Sequence, residues 1–111
     1  LKQGDDVSIE EYKDETPLLT ACEYGNESTV EYLVEHGANV NSGNGIGKTP
    51  LISACINQNE FVIKYLVEHG AEVNKGNHIR GETPLFEACG NGNINIVQYL
   101  VEQGADINKQ N

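Results

Sequence analysis

A chain of 111 residues and 12.1 kDa is one domain's length. Its 38% apolar and 6% aromatic content, without Trp or Met, is lean for a single central core yet too regularly patterned for a disordered chain. Seventeen acids against seven bases give a net charge of −10, the wrong sign for a generic nucleic-acid binder or an anionic membrane surface.

The first fifteen residues are acidic and look irregular. Residues 1–37 hold ten acids and two Lys, residues 38–70 balance at zero, and residues 71–111 at −2. Such a run is either a solvated face or a steering surface for a basic partner near the N-terminal end. No basic-then-apolar leader opens the sequence, and no apolar run reaches a membrane span; the longest candidate, 61–67, is interrupted by Lys64. From Thr16 the chain starts a pattern that it writes three times: TPLLTACEYGNESTVEYLVEHGANVN (16–41), TPLISACINQNEFVIKYLVEHGAEVN (49–74) and TPLFEACGNGNINIVQYLVEQGADIN (83–108). The Thr residues lie 33 and then 34 residues apart, with the extra residue in the connector 75–82.

Each copy predicts a helix pair. Thr16, Thr49 and Thr83 are N-cap residues, and Pro17, Pro50 and Pro84 follow where a missing N–H costs nothing. A short helix runs over 18–22, 51–55 and 85–89. Gly25 and Gly92 break it, each followed by a capping Asn, Asn26 or Asn93. The second helix carries apolar residues at helical spacing: Val30, Leu33 and Val34; Val62, Ile63, Leu66 and Val67; Ile96, Val97, Leu100 and Val101. Gly37, Gly70 and Gly104 end it as left-handed C-caps. The polar connectors 41–48 and 74–82 suit extended, hairpin-like turns. One helix pair cannot bury its own apolar face, whereas stacked copies can, so the pattern predicts a solenoid.

At this period, T-P-L three times, followed by Ala21, Ala54 and Ala88, with Gly-Ala-(Asn/Glu/Asp)-(Val/Ile)-Asn closing each unit, resembles the ankyrin repeat family. The resemblance covers nearly the whole chain. It implies an all-α repeat solenoid of stacked helix-turn-helix repeats with β-hairpin-like connectors. Residues 16–48, 49–82 and 83–111 are then repeats, and residues 1–15 are the tail of a preceding repeat and its connector. That tail follows from register: Gly4 stands twelve residues before Thr16, as Gly37 does before Thr49, and residues 1–8 align with 34–41. We therefore expect a piece of a longer array, with a degenerate terminal cap as the alternative. The sequence departs from the family at three points. Leu19, Ile52 and Phe86 replace the His after T-P-L, so apolar contact should replace its hydrogen bonds. Gln58 stands where Gly25 and Gly92 do, and Asp14 replaces the connector Gly seen at Gly47 and Gly81.

The residues that could carry chemistry fall into ladders with one member per copy. Cys22, Cys55 and Cys89 would lie on helices roughly 8–10 Å apart, too far for a disulfide or a shared metal. They read as small packing residues, reduced as in an intracellular, cytoplasmic setting. His36 and His69 precede the C-cap glycines and suit an interaction with the helix C-terminus; His78 is an exposed connector residue. Tyr32, Tyr65 and Tyr99 form a packing stripe. Glu27, Glu31 and Glu35 share one helix face, as Glu60, Lys64 and Glu68 do in the next copy, which is an ordinary surface pattern. No catalytic motif and no phosphate-cradling loop is present, so neither an enzyme nor a cofactor is expected. The resemblance adds that Asn41, Asn74 and Asn108 support the connector turn, and that this Asn is hydroxylated in some animal members with a Leu eight residues earlier, where Leu33, Leu66 and Leu100 stand.

The resemblance implies a non-enzymatic protein–protein interaction module, with an intramolecular regulatory or spacer segment of a larger enzyme, channel or scaffold as the alternative. Its concave front, made of connector tips and first helices, would bind through Tyr12, Lys13, Glu15, Glu23 and Tyr24 in the first copy. The second copy contributes Ile46, Lys48, Ile56 and Asn57, and the third Ile79, Arg80, Glu82 and Asn91. The expected partner is a protein with an apolar patch and a basic patch toward Glu15 and Glu23, not a nucleic acid or a membrane. The apolar Ile94, Val97 and Val101 at the end of the array add an expectation of weak self-association.

Overall fold

The computed structural model describes residues 14–109. The expected tail of a preceding repeat, with Tyr12 and Lys13, lies outside the described residues. Among these residues the chain forms six helices and no strand: α1 Pro17–Tyr24, α2 Glu27–Glu35, α3 Pro50–Ile56, α4 Glu60–Glu68, α5 Pro84–Asn91 and α6 Ile94–Glu102. Each first helix is one or two residues longer at its C-terminal end than the apolar pattern alone indicates.

Local chemistry sets every boundary. The hydroxyls of Thr16, Thr49 and Thr83 accept from the N–H groups of Leu19, Ile52 and Phe86 at 3.1, 3.2 and 3.2 Å, with Pro at the first helical position. Asn26, Asn59 and Asn93 cap the second helices by accepting from Thr29, Val62 and Ile96. The turn between the helices needs a positive φ, which Gly25 (69°) and Gly92 (73°) supply without strain and Gln58 takes at 57°; in the connector before Thr16, Asp14 takes 61° where Gly47 takes 77° and Gly81 68°. The second helices end one residue earlier than expected. His36, His69 and Gln103 are the C-caps, and the glycines follow them at φ of 100–101°. There the N–H of Ala38 returns to the Leu33 carbonyl and that of Gly37 to Val34, the paired bonds of a Schellman end.

The first helices form an inner row in which α1 packs on α3 and α3 on α5; each also packs on its own second helix, and α2 touches α4. The core runs along this row. Ala21, Ala54 and Ala88 are buried and small enough to let the helices approach, while Leu18, Leu51, Leu85, Val30, Val62, Leu66, Ile96 and Leu100 fill the space between layers. Fully burying one such aliphatic side chain is worth roughly 1.5–3 kcal/mol, so the apolar stripe of one unit is stabilised mainly by the next.

Polar clamps fix the register between units. Asn41 Nδ2 donates to the Gly70 carbonyl (3.1 Å), and the Glu72 N–H donates to Asn41 Oδ1 (2.8 Å). Asn74 repeats both bonds with Gly104 and Asp106, at 3.1 and 2.8 Å. Lys75 Nζ donates to the Asn41 carbonyl at 3.0 Å. The connectors fold back without forming a strand: the N–H of Asn44 donates to the Lys48 carbonyl and that of Asn77 to Glu82. Asn44 Oδ1 also accepts from Ile46 and Lys48, and Asn77 Oδ1 from Arg80 and Glu82.

Candidate partner-binding surface

The side of the stack made by α1, α3, α5 and the connectors carries eleven of the thirteen residues singled out from the sequence, Tyr12 and Lys13 lying outside the described residues. They arrange in rows. The residue before each capping Thr gives Glu15, Lys48 and Glu82, and the helix ends give Glu23 and Ile56, then Tyr24, Asn57 and Asn91. Tyr24 is 83% exposed, Ile79 at a connector tip is 63% exposed, and Ile56 is exposed between them. Ile46 is half-buried, and its carbonyl accepts from the His78 N–H at 2.8 Å, which joins the two connectors.

The two asparagines of this set hold the stack itself. Asn57 Nδ2 donates to the carbonyls of Cys22 (3.1 Å) and Glu23 (2.9 Å), and Asn91 Nδ2 to that of Cys55 (3.1 Å). Each side chain thus satisfies carbonyls left open at the end of the preceding first helix. Charged groups fill the rows between. Lys48 Nζ pairs with Glu23 Oε2 at 3.1 Å, with both side chains mostly shielded from water. Arg80 Nε meets Glu82 Oε2 at 3.4 Å near the tip. Thr20 Oγ1 donates to Glu15 Oε2 at 3.1 Å. Burial first, and the neighbouring Glu23 second, push the Glu15 carboxyl above the usual range, against the pull of Thr20 and Lys48. Burial, then Glu82, does the same to Glu87.

Three further residues of these elements were not singled out as contacts from the sequence. Glu87 aligns with Thr20 and Ser53 in the middle of the front, and that register could have found it. Phe86, expected to pack as Leu19 and Ile52 do, is 47% exposed where they are fully buried. His78 is exposed as expected, yet its ring also lies over Gly47 so closely that a Cβ there would meet ring atoms within 2.4–2.7 Å. Nothing local in the sequence signals that contact, because it joins two connectors.

On the opposite side, His36 and His69 meet carbonyls at the helix C-termini as expected and Tyr65 and Tyr99 pack against the core, but Tyr32 is 61% exposed, contrary to its expected packing role. His36 Nδ1 lies 2.8 Å from the Tyr32 carbonyl and His69 Nδ1 2.8 Å from that of Tyr65. A carbonyl only accepts, so Nδ1 carries the proton. Each imidazole also stacks on the same Tyr, at ring separations of 4.0 and 4.1 Å. Cys22 and Cys55 are buried, and burial pushes their thiols up to about 12. Cys89 is exposed, contrary to its expected packing role, because no helix among the described residues covers the outer side of α5. Among the described residues no group of three His, Cys, Asp or Glu is placed to hold a metal ion, and no helix is long and apolar enough to cross a membrane.

The family model for ankyrin repeats (3 copies) matches residues 1–77 and 42–111. The chain belongs to the ankyrin repeat family. Comparison with curated proteins returned no match. Ankyrin repeats are generally protein–protein interaction modules and are typically non-enzymatic. The family's helix-pair architecture explains the rows on the front: one alignment position recurs once per ankyrin unit, so side chains 33 or 34 residues apart in sequence become neighbours in space.

Proposed function

We propose that this array, with repeats at 16–48, 49–82 and 83–111, is a non-enzymatic module that binds a partner protein on its concave front. The contacts are Tyr12, Lys13, Glu15, Glu23, Tyr24, Ile46, Lys48, Ile56, Ile79, Arg80 and Glu82, with Asn57 and Asn91 at the rim. The observation that carries this reading is the pairing of exposed apolar groups, Tyr24, Ile56 and Ile79, with shielded carboxylates on the same side. Exposed aromatic and aliphatic anchors are the usual hot spots of an interface. Partly desolvated carboxylates favour a cationic neighbour. The partner therefore presents an apolar patch flanked by basic groups toward Glu15 and Glu23. Free thiols at Cys22, Cys55 and Cys89 suit a reducing compartment such as the cytoplasm. Separately, the apolar Ile94, Val97 and Val101 of α6 suit weak self-association.

The test is capture of a binding protein by the full chain and by Tyr24→Ala and Ile56→Ala, beside Glu31→Ala and Lys64→Ala on the second helices. Front truncations should each cost roughly 1–3 kcal/mol of binding, and the second-helix pair should cost little. Greater loss from the second-helix pair would place the surface on the other side. Asn57→Ala is unsuitable as a probe, since its carboxamide holds two carbonyls of the preceding unit.

A further inference from the structure

The carboxylates of the front differ in what holds them. Glu23 is paired with Lys48 Nζ at 3.1 Å, and Glu82 with Arg80 Nε at 3.4 Å. The other Glu82 oxygen accepts from Asn77 Nδ2 at 3.3 Å. One unit earlier Asn44 stands at the register of Asn77; it is buried, and its Nδ2 has no partner, because Lys48, whose ammonium cannot accept, stands where Glu82 does. Glu15 accepts from Thr20 at 3.1 Å. Glu87 alone of these carboxylates makes no hydrogen bond or ion pair among the described residues. It is half-buried, and burial and Glu82 raise its carboxyl against a partial pull from Lys48. Its charge acts on Cys55 of α3, so it faces the middle unit and not the outer side of α5. The surface beside it is open. Gly90 aligns with Ile56, and a Cβ at Gly90 would meet nothing within 4 Å. Ile56, on the α3 that packs against α5, is 43% exposed.

We propose that Glu87 is a specificity-determining contact of the partner surface, seating an arginine or lysine side chain of the partner protein whose apolar neighbour packs on Ile56 over Gly90. The inference rests on the partner surface proposed above and adds a basic contact in the third unit to those toward Glu15 and Glu23. Charge complementarity identifies the occupant. A carboxylate without a donor, partly withdrawn from water and beside a second carboxylate, gains most from a cation that brings its own donors. The cations of the front do not fill this role, since Lys48 is held by Glu23 and Arg80 by Glu82. Thr20 and Ser53 stand at the register of Glu87 in the other units. A hydroxyl is a weaker acceptor than a carboxylate, so the preference for a cation is confined to one place along the front. The room above Gly90 suits the methylene stem of a basic side chain, which lies along apolar surface while its head reaches a charge.

Nuclear magnetic resonance on the isotope-labelled full chain is the test. The probes are the acetylated, amidated peptides GLRLG and GLQLG, which differ only in the cation. GLRLG should shift the amides of Ile56, Glu87 and Gly90. It should also lower the titration midpoint of the Glu87 carboxyl, since a cation favours the carboxylate. At neutral pH it should bind roughly 3- to 10-fold more tightly than GLQLG. Glu87→Gln, which keeps the shape of the side chain, should bind both peptides alike. Gly90→Lys should lower the Glu87 midpoint without any peptide, because it sets an ammonium one turn further along the same helix, and should also bind both alike. Glu31→Gln on α2 should keep the preference. The proposal is overturned by equal binding of the two peptides to the intact chain, by a Glu87 midpoint that GLRLG leaves in place, by a preference that survives in Glu87→Gln, or by failure of GLRLG to bind. If the peptides bind equally with shifts at Tyr24, Ile56 and Ile79, the partner surface stands without this cation site. Shifts confined to α2, α4 and α6 overturn both.

Discussion

Replacing Gln58 by Gly sets three effects of known sign against one another. Gln58 holds φ at 57° in the turn between α3 and α4, where Gly25 and Gly92 take 69° and 73°. A side chain in this region costs roughly 1–2 kcal/mol, which Gly recovers. The substitution also frees the unfolded chain, a loss of about 0.4–1 kcal/mol. It removes the exposed bond from Asn93 Nδ2 to Gln58 Oε1 (3.3 Å), a loss at the low end of roughly 0.5–1.5 kcal/mol. The backbone bonds of the turn, Gln58 N–H to Cys55 and Asn59 N–H to Ala54, are untouched. The balance favours Gly by about 0.5 kcal/mol. Urea titration followed by circular dichroism should show a higher midpoint at unchanged slope. Gly92→Ala, run in parallel, should lose about 1 kcal/mol. A Gln58→Gly chain destabilised by more than about 0.5 kcal/mol would refute the assignment of backbone strain as the larger effect.

Asn74→Ala removes both clamp bonds to the third unit and should cost about 1–3 kcal/mol, with amide exchange at Asp106 accelerating more than at Glu72; equal exchange at both would show that the clamp does not hold its own junction. A thiol reagent at mildly alkaline pH should modify Cys89 quickly and leave Cys22 and Cys55 until the chain unfolds, because the latter are buried with thiols pushed up to about 12; three equal rates would contradict the packing. Glu87 has a folded-state pKa raised above 4.5 by burial and by Glu82, so the folded chain holds that proton more tightly than the unfolded one. Its contribution is therefore present at low pH and is lost as pH rises from 4.5 through the raised value. Glu87→Gln should stabilise the chain at neutral pH and gain less near pH 4.5, as read by urea midpoints; a larger gain at the acid end would reverse the assigned shift. Leu66→Ala, at the fully buried centre of the second unit, should cost about 2–5 kcal/mol, visible as a lowered thermal midpoint, and a loss below 1 kcal/mol would place that side chain outside the core.

The helices, their caps and their order are legible in the amino-acid sequence because each depends on a few adjacent residues. Thr-Pro starts a helix at each of its three places, and Asn26, Asn59 and Asn93 start the second one through a side-chain carbonyl that accepts from the N–H three residues ahead. The positive φ at Gln58 was visible by alignment with Gly25 and Gly92. Repetition also revealed which residues share a row, since a row is one position read three times. What each row does was decided only by the tertiary structure. Asn57 and Asn91 look like free polar groups in sequence, and become structural because a helix of the preceding unit ends within 3.1 Å of them. Phe86 and Cys89 carry the same sequence signal as Leu19 and Cys22, but differ in exposure because burial in a stack is supplied by the neighbour and not by the residue's own unit. The His78 ring over Gly47 also crosses between units, and the shielded Lys48–Glu23 pair joins a connector to the end of α1. Sequence periodicity fixes the faces of a helix, whereas contacts between units depend on the stacking distance and angle that only the folded chain sets.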